Sequence, residues 1–204
     1  MRSVHALAGG LLVLSAVPWA QAAAQSEPRA VEVAPFRSVE LRSGGKVVLR
    51  NGPTQRVTFL KGSPEDVEVS IASGDELVIE KHKRRSEGRY ELEIEVITPE
   101  LERITVAHGG MIQSRGSFPR QAAIGVTVDN GGTIDIRSMS VGSITASVLS
   151  GGRIFAKPLT AMAASVVEGG NITYWGDARV TPSIEKGGVI IKGDPSEADQ
   201  PYRD

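Results

Sequence analysis

The chain has 204 residues, with 23 basic against 24 acidic side chains and a formal net charge of −1. That balance advertises neither nucleic acid nor an anionic membrane as a partner. The absence of cysteine excludes disulfides, thiolate metal sites and a cysteine nucleophile, and three histidines with 4% aromatic residues leave a thin inventory for catalysis or sugar stacking.

Residues 1–24 carry Arg2 as their one charge, then an apolar run from Ala6 to Ala20 and the small-residue series Ala20-Gln21-Ala22-Ala23-Ala24. This is the order of a secretory signal peptide, cleaved after Ala22 or Ala24. An exported protein of the periplasm or cell surface is therefore expected. The run is too short to span a bilayer once processed, and no later segment approaches the roughly 20 apolar residues a membrane helix needs. Residues 25–35, with Pro28 and Pro35, read as an extended leader.

From residue 36 to 193 the chain repeats itself. Glycine pairs stand at Gly44-Gly45, Gly109-Gly110, Gly131-Gly132, Gly151-Gly152, Gly169-Gly170 and Gly187-Gly188, the last five separated by 22, 20, 18 and 18 residues. Apolar residues fall at fixed offsets around each pair: Val39, Leu41 and Val47; Ile104, Val106 and Ile112; Val126, Val128 and Ile134; Ala146, Val148 and Ile154; Ala164, Val166 and Ile172; Pro182, Ile184 and Ile190. Period-two alternation puts each set on one strand face. The glycines make the corner between an entering and a leaving strand, because only glycine bends through positive φ cheaply. A single all-β domain over 36–193 follows, a β-helix or β-solenoid whose interior columns are valine, isoleucine and alanine.

Between the first two glycine pairs, Arg56–Leu60, Asp66–Ile71, Glu76–Glu80 and Arg89–Ile97 each alternate like strands, with a hairpin turn at Ala72-Ser73-Gly74-Asp75. These predict an antiparallel, sheet-like N-terminal portion that feeds the repeating half. Residues 194–204, rich in Asp, Pro and Glu, read as a disordered acidic tail.

The opening Phe36-Arg37-Ser38-Val39-Glu40-Leu41, the strand Glu76-Leu77-Val78-Ile79, the segment Val96-Ile97-Thr98-Pro99-Glu100-Leu101-Glu102 and the ladder ending Gly169-Gly170-Asn171-Ile172-Thr173-Tyr174-Trp175-Gly176 resemble the head GIN domain family of auto-transporter adhesins. The resemblance covers about residues 31–193, although adjacent glycines replace the Gly-x-Gly corners usual in that family. It implies an exported bacterial β-helical domain, hints at adhesion, and carries over no catalytic residues.

Function is less legible. A calcium roll of the Gly-Gly-x-Gly-x-Asp kind is excluded, because isoleucine or valine stands three positions after each first glycine and the aspartate ligand is missing. No metal and no cofactor are expected. The residues before the corners, His108, Asn130, Ser150, Glu168 and Lys186, should stack as a surface column able to bind, with Glu168 and Lys186 paired across neighbouring strands. The basic run Lys81, His82, Lys83, Arg84 and Arg85 reads as an exposed tip, a second surface for anionic glycan or phosphate. Tyr174-Trp175 either stacks a sugar or caps the end of the apolar column. Glu91, Glu93 and Glu95 share one strand face, and Asp129 and Asp135 flank one corner without an evident basic partner. The reading is thus a non-catalytic module that binds envelope glycan or a surface protein, with end-to-end homo-oligomers conceivable. A polysaccharide lyase or hydrolase is the rival, and it would need grouped carboxylates.

Overall fold

The computed structural model describes residues 28–82 and 91–200. The expected signal segment 1–24, residues Lys83, Arg84 and Arg85 of the basic run, and the end of the expected tail, 201–204, lie outside the described residues. Among those described, the protein is all-β apart from one short 3-10 turn. The strands are β1 (Arg29–Val31), β2 (Ser38–Leu41), β3 (Lys46–Asn51), β4 (Arg56–Lys61), β5 (Val67–Ala72), β6 (Glu76–Lys81), β7 (Glu93–Thr98), β8 (Arg103–Val106) and β9 (Met111–Arg115). They continue as β10 (Gln121–Val128), β11 (Thr133–Asp135), β12 (Val141–Ser150), β13 (Arg153–Ala156), β14 (Pro158–Glu168), β15 (Asn171–Tyr174), β16 (Arg179–Ile184) and β17 (Val189–Lys192).

They form two mixed sheets. One runs β1-β4-β7-β3-β9-β11-β13-β15-β17 and the other β16-β14-β12-β10-β8-β2-β6-β5. From β8 onward the chain alternates between the sheets, and every neighbouring pair within a sheet is parallel. The register places Ile112, Ile134, Ile154, Ile172 and Ile190 side by side in one sheet. Ile104, Val126, Ala146, Ala164 and Pro182 align in the other.

Most of these side chains point between the sheets. Ile112, Ile134, Ile154 and Ile172 are each fully buried, as are Val106, Val128, Val148 and Val166. Each such residue contributes on the order of 1.5–3 kcal/mol of burial free energy, so the core grows by a similar increment with each pair of strands. The column stops at the last pair: Pro182 is exposed, Ile190 is only partly buried, and Ile184 stands 48% exposed.

The glycine pairs are the corners, and the two positions are not equivalent. At the second one a Cβ would collide. On Gly132 (φ +98) it would lie 2.6 Å from Val106 Cγ1 and 2.9 Å from the Gly110 carbonyl oxygen, and Gly152 and Gly170 repeat the geometry. That carbonyl accepts the Thr133 N–H at 2.9 Å, as Gly132 accepts from Arg153 and Gly152 from Asn171. The first glycine faces open space, and from Gly109 onward it is selected by positive φ; at two corners that conformation extends to the preceding His108 (φ 95) and Asn130 (φ 54).

The N-terminal half departs from the expected order. β2 and β3 pair directly with β8 and β9, matching Val39 to Ile104 and Val47 to Ile112. The first two glycine corners are therefore neighbours, and the segment between them does not lie between them in space. Its strands lie on the far side of β2 and β3. β6 and β7 add in parallel, while β5, β4 and β1 close that end antiparallel, with the predicted hairpin at β5 and β6. Covering one end of a stack of parallel strands requires strands whose outer edges are not repeated, and this excursion supplies them.

The beginning of the expected tail is ordered. Residues 195–197 form the 3-10 turn, Ala198 is buried, and Trp175 Nε1 donates to the Asp194 carbonyl oxygen at 2.8 Å. A buried aromatic face with an indole N–H to satisfy outweighs the polarity that suggested disorder.

Candidate functional site

The glycine corners align into a furrow, since a run of residues without side chains leaves a gap between the residues on either side. Two cavities follow it. One of about 450 Å³ lies over Gly131, Gly132, Gly151, Gly152 and Gly170 beside Thr133, Arg153 and Asn171. The second, of about 550 Å³, lies over Gly45 and Gly110 beside Lys46, Lys61, Glu91, Glu93 and Met111, and the two share Thr133. The furrow wall is thus the column after each corner: Lys46, Met111, Thr133, Arg153 and Asn171, matched strand to strand.

Sequence reasoning singled out the residues before the corners instead. His108, Asn130, Glu168 and Lys186 are exposed and Ser150 is half-buried. Ser150 and Glu168 are register partners, and Lys186 Nζ sits 3.8 Å from Glu168 Oε1. With side chains 70% and 62% exposed, that pair contributes little. These residues line neither furrow cavity. The signal that would have found the wall was present all the same: a polar or long side chain stands immediately after most glycine pairs.

Of the basic run, Lys81 is half-buried at the end of β6 and His82 is exposed, its N–H donating to the Asp66 carbonyl at 3.0 Å. The carboxylates on β7 and just before it are engaged with cations. Glu95 meets Arg50 at 2.6 Å, while Glu91 and Glu93 meet Lys61 at 3.6 and 3.9 Å.

Asp135 corrects the expectation that it has no basic partner. Its Oδ2 lies 2.7 Å from Arg137 Nη2, and Arg137 Nε donates to Oδ1 at 2.9 Å. Both side chains are at least nine-tenths buried. Arg137 is held further by ring faces, 4.8 Å from the Trp175 centroid and 5.3 Å from that of Phe155, and its Nη1 donates to the Glu197 carbonyl at 2.8 Å. A residue two positions on in an extended chain points to the same sheet face, so the pairing was within reach of the sequence, but the cover supplied by residues 194–200 was not. Trp175 accordingly caps no end of the interior column. It fills a niche on the outer face of its sheet, with Tyr174 partly buried against the core.

Residues 35–124 match the family model described as putative auto-transporter adhesin, head GIN domain. It is the family the sequence itself resembles. The head GIN match takes in β2 to β9 and the start of β10, hence the closed end and the first glycine corners. A putative adhesin from Bacteroides fragilis has the same fold, with a TM-score of 0.55 at 13% identity over 81% of this chain and 96% of that one. A putative adhesin from Parabacteroides merdae (TM-score 0.42, 10% identity, 82% and 96% covered) and a putative cell adhesion protein from Clostridium sporogenes (0.37, 11%, 82% and 100%) align more loosely. No curated protein sequence matches the chain. No helix among the described residues is long and apolar enough to cross a membrane.

Proposed function

We propose that the protein is an exported, non-catalytic binding module of the periplasm or cell surface, its body a β-solenoid, which holds an extended polymer along the glycine furrow. The polymer is an envelope glycan or a segment of a surface protein. The observation that carries this reading is the furrow: two adjoining cavities floored by backbone and walled by Lys46, Thr133, Arg153 and Asn171. Strands spaced about 4.8 Å apart give the five paired corners from Gly45 to Gly170 a reach of roughly 19 Å, the length of a short oligosaccharide or peptide. Rigid parallel strands present such a row of contacts without the ordering cost a loop would incur. The adhesin descriptions of the matched family and of the neighbouring structures support a binding role, and the solenoid reading rests on the alternation of successive strands between two sheets.

The column His108, Asn130, Ser150, Glu168 and Lys186 is in this proposal a neighbouring contact surface outside the furrow cavities, and the Lys81–Arg85 run a separate contact for anionic groups. A glycan and peptide array probed with the protein and with Arg153→Ala/Asn171→Ala tests the central claim. Binding that falls at least about tenfold in the double variant, as loss of a charged and a neutral hydrogen bond implies, supports the furrow. Unchanged binding to every ligand the parent protein captures removes it.

A further inference from the structure

A second recess opens on the outer face of the β9–β11 sheet, away from the furrow. It has a volume of about 460 Å³, within the range of small-molecule sites, and its walls combine the uncharged Gln113, Ser114, Ser138 and Gln200 with the charged Arg115, Arg137, Asp135 and Asp199. Its polarity is built in. Gln113 and Ser114 are 2% and 6% exposed, and Ser138 Oγ donates to Ser114 Oγ at 2.7 Å, which passes a hydrogen bond to the Asp135 carbonyl at 3.2 Å. Buried polar groups are costly in a fold otherwise packed with aliphatic residues, so a row of them lining a cavity calls for an explanation.

The charges around the recess supply one. Arg50, Arg137 and Lys157 lie at equivalent offsets after their corners, and each meets a carboxylate: Glu95 at 2.6 Å, Asp135 at 2.7 Å and Asp199 at 2.9 Å. Arg115 holds the same offset and is register partner to Arg50. It meets a neutral amide instead, with Nε and Nη2 each 3.4 Å from Gln113 Oε1. Those bonds are long for a guanidinium, and the side chain is exposed at the mouth of the cavity. The two carboxylates in the recess wall, Asp135 and Asp199, are already paired with Arg137 and Lys157, so the cationic charge of Arg115 is left uncompensated beside open volume.

We propose that this recess binds an acidic saccharide, with Arg115 taking the carboxylate through its planar fork and the Ser138 hydroxyl and the Gln113 and Gln200 amides meeting the sugar hydroxyls. A guanidinium pairs with a carboxylate in two parallel bonds that an ester cannot reproduce. The hydroxyl and amide groups of the lining, with Asp135 and Asp199 ion-paired to Arg137 and Lys157, favour a hydroxylated ring over a hydrophobic acid. The site is independent of the furrow polymer, because its lining shares no residue with the furrow cavities.

The test is calorimetric titration of the protein with trigalacturonate and with the same trisaccharide fully methyl-esterified. The acid is expected to bind at least about tenfold more tightly than the ester, with a response that weakens as salt is raised. Arg115→Ala should abolish that preference, Arg115→Lys should restore part of it, and Ser138→Ala should weaken binding of the acid several-fold. Arg153→Ala/Asn171→Ala in the furrow should leave the titration unchanged. Equal binding of acid and ester, retention of the preference in Arg115→Ala, or no heat from either sugar at millimolar concentration overturns the proposal. The ester arm leaves the protein unaltered, so the result holds even if a variant folds poorly.

Discussion

Each glycine in a corner answers to a different constraint, and substitution should separate them. Gly132→Ala forces a methyl group against Val106 Cγ1 and the Gly110 carbonyl at φ +98. A loss of about 3 kcal/mol or more is expected in urea unfolding, because backbone on a neighbouring strand cannot yield. Gly131→Ala meets nothing within 4 Å at φ +83 and should cost only about 1–2 kcal/mol of conformational strain. Equal losses at the two positions would contradict the account of the corner. Asp135→Ala leaves the Arg137 guanidinium, whose side chain is 9% exposed, without its carboxylate. A loss of about 3–5 kcal/mol is expected, and replacing both residues by aliphatic ones should recover much of it. The doubling of glycine was visible in the sequence. Its asymmetry was not, since the obstacles at the second position, the Val106 side chain and the Gly110 carbonyl, belong to the preceding corner.

The segment 194–200 behaves as a strap across one sheet face. It is held by Trp175 Nε1 on the Asp194 carbonyl, Arg137 on the Glu197 carbonyl and Lys157 on the Asp199 carboxylate. The Ser196 hydroxyl and N–H, at 2.6 and 2.8 Å, donate to the Asp194 carboxylate and hold it below the usual carboxylate range. A group lowered in the folded state stabilises fully above its unfolded pKa, about 3.9, and loses that contribution as pH falls through the lower folded value. Trp175 is the one tryptophan after residue 24. Its emission in a protein produced without residues 1–24 should hold steady down to about pH 4 and shift red only below that; a shift between pH 5 and 6 would show that some other group governs the strap. The strap escaped the sequence reading because its partners lie 19, 60 and 42 residues away, while its own composition is that of a solvated end. The strands themselves were legible wherever alternation was strict, as in Val126 and Val128 before Gly131.

The two ends of the molecule differ. At one, β1, β4 and β5 cover the stack with antiparallel strands. At the other, β16 and β17 are edge strands that, among the described residues, carry no antiparallel cover, and Ile184, Val189 and Ile191 are 48%, 42% and 49% exposed. Local opening should begin there. In hydrogen exchange the amides of β16 and β17 should be replaced first and those of β10 to β13 last, since a strand paired on both sides opens only with its neighbours. Uniform exchange along the stack would mean that the whole body opens as one unit. The order of the strands was the least legible feature. The offsets around Gly44 and Gly109 show that Val39 and Ile104 are equivalent, but the placement of β6 and β7 beyond β2 and β3 depends on pairings across tens of residues, which the turns between them do not encode.

A polarity of this kind makes length an adjustable dimension. Successive corners at Gly151, Gly169 and Gly187 lie 18 residues apart, and each level pairs only with the levels directly beside it. A duplicated stretch of that size near the open end would add one storey, about 4.8 Å, to the groove and leave the sealed end untouched. Proteins built this way can be gauged to their targets by whole storeys, through gene duplication, with no redesign of the foundation.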